Sequence, residues 1–464
     1  MTFGRKSPGV QGQPPSERVR VPAPVLRTRI PSRRGATEQP NATGDGDAPL
    51  TLRFWIALVL TGIATGLFGD LLMVVLFNVQ HIAFGYHSGS LEHAVEHASD
   101  ARRITSLAVA GVLGGPAWYL LRRWTKGERA HPEDAMWAGD SRVSFRRCLG
   151  SGLISELVVG MGASIGREQA PKVMGAASAT VFADRFGLTD GQRRVLLGCG
   201  AGSGLGAVYN VPLGGAVFTL EVMLGTMALP AVLPAIACSF IATGVAWLYL
   251  PTHATYINMP SFSFSGTIMA CSLVMGPFIG LIGAGYIRLI GWVSHHSASG
   301  RLAIGAPLVA FSVLGVVGFA YPQLFGNGKD MAHDAFLGHG TILLFLALFA
   351  LKPIVTSLCL QSGASGGLFT PTLSTGAVLG GFSGLVWIHL WPGAPIGAFA
   401  LVGAAAMIGA AMQAPLSGVA LVLELTHSGF GLMVPMMTAT ILATVVTRYI
   451  DGYSIYTARL PGDE

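Results

Sequence analysis

Charge is what this chain lacks most. Only 11% of its 464 residues are Asp, Glu, Lys or Arg, while 51% are hydrophobic; soluble domains carry about 25% charged residues. With a mean hydropathy of +0.57, that scarcity excludes an ordinary soluble enzyme. It leaves a polytopic membrane protein with most of its length in lipid. Cysteine is sparse and unpatterned. Cys148, Cys199, Cys238, Cys271 and Cys359 stand singly in or beside apolar segments, with no CxxC pair and no histidine at ligand spacing. Neither a disulfide framework nor a metal site is expected. No cofactor is implied, and nothing points to a nucleic acid partner. No hydrophobic h-region precedes residue 50, which excludes a signal peptide there. No ring of Asp or Glu occurs in the apolar part, which excludes a cation cage.

Residues 1–49 are a different material, with eight prolines, eight Lys/Arg and almost no apolar run. This composition predicts a disordered basic tail with no specific role, within reach of anionic lipid headgroups. A first apolar span covers 50–77. The polar stretch 81–103 follows, with Glu92, Glu96 and Asp100, and then a second span over 104–121 ending at Arg122, Arg123 and Lys126. The basic tail and basic span end share one side and the acidic loop takes the other, so the positive-inside rule places the N-terminus in the cytoplasm. In that loop His93 and His97, with Glu92 and Glu96, have the i,i+4 spacing of a surface metal site; a solvated helical face is the preferred reading.

Beyond 140 the apolar segments shorten and abut: 148–165, 169–185, 193–208, 212–227, 229–250, 264–292, 302–321, 340–361, 366–391, 397–412, 415–426 and 431–450, with Gly and Pro at nearly every boundary. Segments this short cannot all be simple spans. Many must be tilted or re-entrant half-helices, which survive in a membrane only when buried in protein or lining a cavity.

An internal repeat is visible. Gly200, Gly206, Asn210, Pro212, Leu213, Gly215 and Glu221 align with Gly403, Gly409, Gln413, Pro415, Leu416, Gly418 and Glu424 at a constant offset of 203, and Gly166 and Pro171 align with Gly366 and Pro371 at an offset of 200. The repeats span approximately 104–250 and 302–450 within a transmembrane domain of 50–460. Two such halves, each with a Gly/Pro-interrupted apolar segment, place a binding site at their interface. The duplicated Glu221 and Glu424 suit a helix-end or interface role.

Gly166-Arg167-Glu168-Gln169-Ala170-Pro171 is the charged motif of the core. Membrane-embedded charge costs about 2.5–3.5 kcal/mol on insertion scales and marks an ion path or a pair. Gly366-Gly367-Leu368-Phe369-Thr370-Pro371 is its partner in the second half. A helix N-terminus offers unpaired N–H groups and about half a positive charge, so several such ends form an anion site without a full cation. Gly166, Gly366 and Gly367 let backbone approach closely. A monovalent anion is the natural substrate. Glu168 carries an anion of its own, which can occupy such a site when ionised and leave it when protonated, as a gate and proton acceptor. Pairing with Arg167, or capping of its own helix, is the alternative.

These residues resemble the CLC family of chloride channels and chloride/proton antiporters. Gly166-Arg167-Glu168-Gln169-Ala170-Pro171 is similar to its GREGP motif, and Gly367-Leu368-Phe369-Thr370-Pro371 matches its GxFxP motif. Asn210-Val211-Pro212-Leu213 and Gln413-Ala414-Pro415-Leu416 look like its paired NAPL-type turns. Tyr453-Ser454-Ile455-Tyr456-Thr457-Ala458 resembles the segment of its anion-binding tyrosine, which falls on Tyr456. The resemblance implies an all-α polytopic membrane protein with a CLC-type inverted repeat of about 18 tilted and re-entrant helices. It implies a homodimer with one pore per subunit in a bacterial plasma membrane. It also implies chloride as substrate, with protons as a second cargo in antiporters. By position, Glu168 would be the gating glutamate. Gly166, Gly367, the Leu368 and Phe369 amides and the Tyr456 hydroxyl would hold the anion, and Arg167 would support the structure.

The chain departs from the family pattern in places. The GSGIP motif that supplies a serine should fall near 124–132, and no GSGIP stands there. Gly150-Ser151-Gly152 looks like it but lies only 17 residues before Glu168 and reads as a decoy, so the central site is expected to be weak and mainly backbone, with Tyr456 as its clearest side-chain donor; the alternative is that a residue near Lys126–Arg129 takes the serine's place. Gln169 replaces a glycine, and Val222 stands where antiporters carry an inner proton-transfer glutamate. A gated channel is the leading expectation, with a proton-coupled antiporter or a fluoride-selective member as alternatives. No nucleotide-binding domain pair is expected after residue 464. A remote alternative is a rhomboid-like intramembrane protease, since Gly363-Ala364-Ser365-Gly366 matches its GxSG nucleophile motif with His389 or His427 as base; it leaves the repeat and the Glu168 motif unexplained.

Overall fold

The computed structural model describes residues 50–137 and 139–460, so the basic segment 1–49 lies outside the described residues. The first helix, α1 (Leu52–Phe84), has 33 residues, which at about 1.5 Å per residue far exceeds a hydrocarbon core of about 30 Å and requires tilt. It runs past the expected end at 77 because the apolar pattern continues through Ile82 and Phe84, until Gly85 stops it in a left-handed conformation. A short helix, α2 (Leu91–His97), forms within the acidic stretch, and α3 (Asp100–Trp124) returns across the layer.

Then follow α4 (Pro132–Trp137), α5 (Phe145–Gly160), α6 (Gln169–Arg185), α7 (Asp190–Tyr209), α8 (Pro212–Phe218) with a π-helical continuation Thr219–Leu224, α9 (Leu229–Ala246) and the long α10 (Gly266–His295). The second half repeats the order with α11 (Leu302–Val317), α12 (Lys329–Leu337), α13 (Ile342–Gln361), α14 (Phe369–Trp387), α15 (Ile396–Met412), α16 (Pro415–Thr426) and α17 (Met433–Ile450). Thus α3 to α9 correspond one for one with α11 to α17. Six helices are long and apolar enough to cross a membrane, and the protein is a multi-pass, all-helical membrane protein among its described residues. Leu302–Val317, Ile396–Met412 and Pro415–Thr426 are shorter apolar helices, as the abutting segments required.

Pseudo-two-fold contacts join the halves. Glu221 accepts from the Leu416 and Ser417 amides at 3.1 and 2.7 Å, at the start of α16. Glu424 accepts from the Leu213 and Gly214 amides at 3.0 and 2.5 Å, at the start of α8. Each repeat therefore caps the other's half-helix, the role expected of the duplicated glutamates. Asn210 and Gln413 both adopt left-handed backbone, φ 54° and 57°, and turn the chain between the paired helices. Gly150-Ser151-Gly152 lies inside α5, away from any helix start, which removes it as an anion-binding loop.

Within each half, two helices cross at glycines. A Cβ on Gly175 or Gly200 would meet the other's carbonyl group, and Gly376 and Gly403 face one another in the same way. These crossings, α6 on α7 and α14 on α15, lie at the protein centre, where close approach replaces the hydrophobic drive that lipid does not supply. Gly200→Ala is expected to destabilise by about 1–3 kcal/mol through overpacking. Gly285→Ala on α10 meets open space and is expected to be neutral or to stabilise by up to about 1 kcal/mol through helix propensity. Thermal unfolding of the detergent-solubilised variants checks the pair, and equal shifts would contradict the crossing.

Candidate anion site at the repeat interface

The loops that precede α6 and α14 meet at the centre. Gly166 N donates to Gly367 O, and Gly367 N to Gly166 O, both at 2.8 Å. The two helices start at an offset of 200, but this bridge pairs Gly166 with Gly367 rather than Gly366. Glu168 is the N-cap of α6, yet its side chain makes no bond to that helix. It crosses to the other repeat. Its Oε1 accepts from the Phe369 amide at 2.7 Å. Its Oε2 accepts from the Tyr209 hydroxyl at 3.1 Å and the Thr370 hydroxyl at 3.2 Å. The Phe369 amide is the first of α14, one of the N–H groups a helix start leaves unbonded. A carboxylate there gains charge-assisted hydrogen bonds and the favourable end of the helix dipole.

Glycine is required on both sides of this carboxylate. A Cβ on Gly166 or Gly367 would run into the Glu168 carboxyl group. Glu168 is only 3% exposed, so its charge is met by protein donors rather than by water. Gly166, Glu168, Gly367 and Phe369 therefore come together in one place, with Leu368 as the N-cap of α14. Among the described residues Arg167 forms no ion pair with its neighbour. Its guanidinium lies 4.9 Å from the centre of the Tyr209 ring and 5.8 Å from that of Phe77.

Tyr456 occupies a different part of the site. Its segment is fixed beneath α15 by Ile455 N donating to Ala411 O at 2.8 Å. Its hydroxyl faces Met412 Sδ at 4.0 Å, and the Lys172 ammonium sits 4.8 Å from its ring centre. Met412 and Tyr209 are equivalent positions of the two repeats, so the phenol that bonds Glu168 has a thioether beside Tyr456 as its counterpart.

Two departures from the family pattern meet here. His131, in the segment where GSGIP was expected, bonds Gln169 at 2.9 Å between Nδ1 and Nε2. Beside them the Lys172 ammonium donates to Glu133 Oε1 at 2.5 Å. The candidate substitutes at Lys126–Arg129 lie elsewhere in their bonding: Arg129 pairs with Asp140, and Glu128 accepts from Ser144. Sequence reasoning missed Tyr209, Thr370, His131, Glu133 and Lys172. The signal for Tyr209 is a lone phenol at the end of a Gly/Ala/Leu helix, directly before the Asn210-Val211-Pro212 turn. For Lys172 it is a cation one helical turn after Glu168.

On the side of α2 lies a cavity of about 450 Å³, lined by Arg167, Asn327, Lys329, Asp330, Glu92 and His333 among others. Asn327 Nδ2 donates to the Tyr209 hydroxyl at 3.3 Å, which links the cavity to the Glu168 bonds. The His93 and His97 rings lie 4.1 Å apart, tilted by 49°, and are exposed, and no metal-holding cluster occurs among the described residues. His389 ends α14 and bonds Leu385 O, a whole helix away from Ser365, which removes it as a catalytic base.

Residues 110–448 match the family model described as voltage gated chloride channel, which is well over half of the chain. The chain belongs to the voltage gated chloride channel family. It is 30% identical over 380 residues to the voltage-gated ClC-type chloride channel ClcB of Escherichia coli O9:H4 (strain HS), covering 80% of this chain and 89% of that protein. It is 31% identical over 385 residues to ClcB of Shigella flexneri, with the same coverage. Its fold is similar to the crystal structure of a slow cyanobacterial Cl-/H+ antiporter, with TM-score 0.76 and 20% identity over 88% of this chain and 97% of that one. It is also similar to a CLC-type fluoride/proton antiporter, with TM-score 0.70 and 18% identity over the same shares. Family membership leaves the protease alternative without support.

One titration follows from the cavity. Burial, followed by the carboxylates of Asp334, Asp330 and Glu96, pushes the Glu92 carboxyl up to about 9. A carboxyl raised on folding binds its proton more tightly in the native state, so the stability it lends is complete below its ordinary value of 4.5 and is lost as pH rises towards about 9. Glu92→Gln removes the titration. The expected outcome is a variant whose unfolding temperature falls less over this range than that of the parent. Parallel pH profiles would exclude Glu92 as the cause.

Proposed function

We propose that this protein carries a monovalent anion, chloride first, through a bacterial plasma membrane along a path gated by Glu168. The observation that supports this most directly is the bond from the Phe369 amide to Glu168 Oε1 at 2.7 Å. A carboxylate there occupies a helix-terminal anion site, and a chloride ion would take its place when it leaves. Gly166, Gly367, the Leu368 and Phe369 amides and Tyr456 are the anion-binding groups of this reading. Leaving the site costs the carboxylate its charge-assisted bonds, worth about 1.5–3 kcal/mol each, so protonation or a competing anion opens the path. Val222 carries no proton, which favours a gated channel over tightly coupled exchange. The cavity on the α2 side is the external vestibule in this reading, with the N-terminus in the cytoplasm.

Glu168→Gln mimics the protonated gate. Chloride efflux from proteoliposomes is expected to rise roughly tenfold or more, from the loss of one charge-assisted bond, or to lose its pH dependence. Unchanged, pH-sensitive efflux would remove Glu168 from the gate. Reversal potentials measured across a pH gradient separate channel from antiporter, since only coupling shifts them with pH. The same liposomes with a fluoride electrode test the fluoride alternative.

We also propose a homodimer that meets along α8 and α16. In the sequence, Gly214-Gly215 and Ser417-Gly418 suggest small-residue faces that would let these helices approach a partner closely, but they pack inside the protomer. Gly215 packs on Gly202, Gly206 and Ser239, and Gly418 on Ala405 and Gly409, all within one protomer. The outward groups are Leu213 and Leu416, 47% and 44% exposed, which suit an apolar contact. Light scattering corrected for detergent is expected to give twice the chain mass of 48.3 kDa. A monomer with full efflux would contradict the interface.

A further inference from the structure

The α6 helix carries a second charge one turn after Glu168. The Lys172 amide donates to Glu168 O at 3.2 Å, so both side chains leave the same region of the helix. Lys172 is 4% exposed. Its ammonium donates to Glu133 Oε1 at 2.5 Å and lies 4.8 Å from the centre of the Tyr456 ring. Among the described residues, each charge of this pair has the other as its only ion-pair partner. Glu133 also lines a small pocket of about 50 Å³ together with Val222, Arg194 and Tyr456. One charge of the pair therefore borders that pocket.

As a stabilising device a buried pair is weak, because desolvation offsets most of its Coulomb attraction and an apolar pair of similar volume does as well. As a binding device it is apt. An ammonium held in a dry, aromatic-walled site binds an anion by charge-assisted hydrogen bonds. A halide that takes the place of the carboxylate leaves the charge around the ammonium unchanged, and the displaced carboxylate shares its pocket with the Arg194 side chain. Glu133 has the adjacent pocket to move into. The His131–Gln169 bond ties the segment that carries Glu133 to the first residue of α6 and sets the distance between the two charges. The arrangement parallels that of Glu168, whose carboxylate also rests where an anion would.

We propose that Lys172 is an anion-binding residue of the pore and that Glu133 is a second carboxylate gate. Glu133 holds the ammonium when no anion is present and yields it to an arriving halide. This rests on the reading of the chain as an anion transporter gated by Glu168. It places a fixed cation beside Tyr456, in the part of the site where the family pattern supplies a serine. It also places a mobile carboxylate beside Val222, where that pattern supplies an inner glutamate.

The test is chloride binding by calorimetry and chloride efflux from proteoliposomes, with the full chain throughout. Glu133→Gln removes the competing charge and is expected to bind chloride about tenfold more tightly or better and to conduct faster. Lys172→Met alone would leave Glu133 buried and unpaired, so the informative variant is the double change Lys172→Met with Glu133→Gln, which strands no charge. It is expected to elute as folded protein and to bind chloride about tenfold more weakly or worse. Wild-type affinity in the folded double variant, or weakened binding in Glu133→Gln, would show that the pair is structural and overturn the proposal. Absence of chloride binding and efflux in the parent protein would overturn the anion-transport reading itself. Normal parent behaviour with unaltered variants would overturn only this inference.

Discussion

The structure turns on one constraint: the Glu168 carboxylate must be satisfied without water. It is buried at the meeting point of two helix starts, and three donors from two elements reach it: the Phe369 amide, the Thr370 hydroxyl and the Tyr209 hydroxyl. None belongs to the helix that Glu168 begins. The carboxylate therefore joins the two repeats, and the backbone around it must be free of side chains, which Gly166 and Gly367 provide. The reciprocal Gly166–Gly367 bridge fixes the loops at the separation the carboxylate spans. A site built this way holds the side chain through bonds of the kind that a free anion also accepts.

The rest of the fold follows from the need to bring helix ends into a membrane interior. A half-helix that starts inside lipid exposes N–H groups that nothing in hydrocarbon can satisfy. Duplication solves this by reciprocity. Glu221 and Glu424, each near the far end of one half-helix, bond the first amides of the other. Close packing at Gly175, Gly200, Gly376 and Gly403 then lets the helices behind those ends cross near the centre, so the half-helices stop where the site lies.

Much of this was legible in the sequence. The offset of 203 between the halves located the cap glutamates, both left-handed turns and the paired helices. The Gly166 and Gly367 motifs located the two helix starts that meet at the centre. What was not legible depended on contacts between distant segments. Glu168 sits in sequence beside Arg167 and at the start of α6, and both local partners are wrong; only the fold shows that its donors lie on α7 and α14. Lys172 reads as one cation in a helix, and Glu133 as one acid in a short polar stretch. Their pairing spans 39 residues and no periodicity announces it. The apparent small-residue faces at Gly214-Gly215 and Ser417-Gly418 misled for a related reason, since small residues report close approach without saying to what.

The cations near the centre complete the electrostatic picture. Arg167 rests on the rings of Phe77 and Tyr209. Lys352, fully buried in α13, donates to Ser164 Oγ at 2.8 Å and to the carbonyls of Gly326 and Leu324 at 3.0 and 3.3 Å. Ser164 lies two residues before Gly166, so Lys352 fastens the loop that carries the site. Among the described residues, neither cation forms an ion pair with a carboxylate. Carbonyl and hydroxyl dipoles hold Lys352 in place and π-faces hold Arg167, so both long side chains brace the segment from which Glu168 crosses to the second repeat.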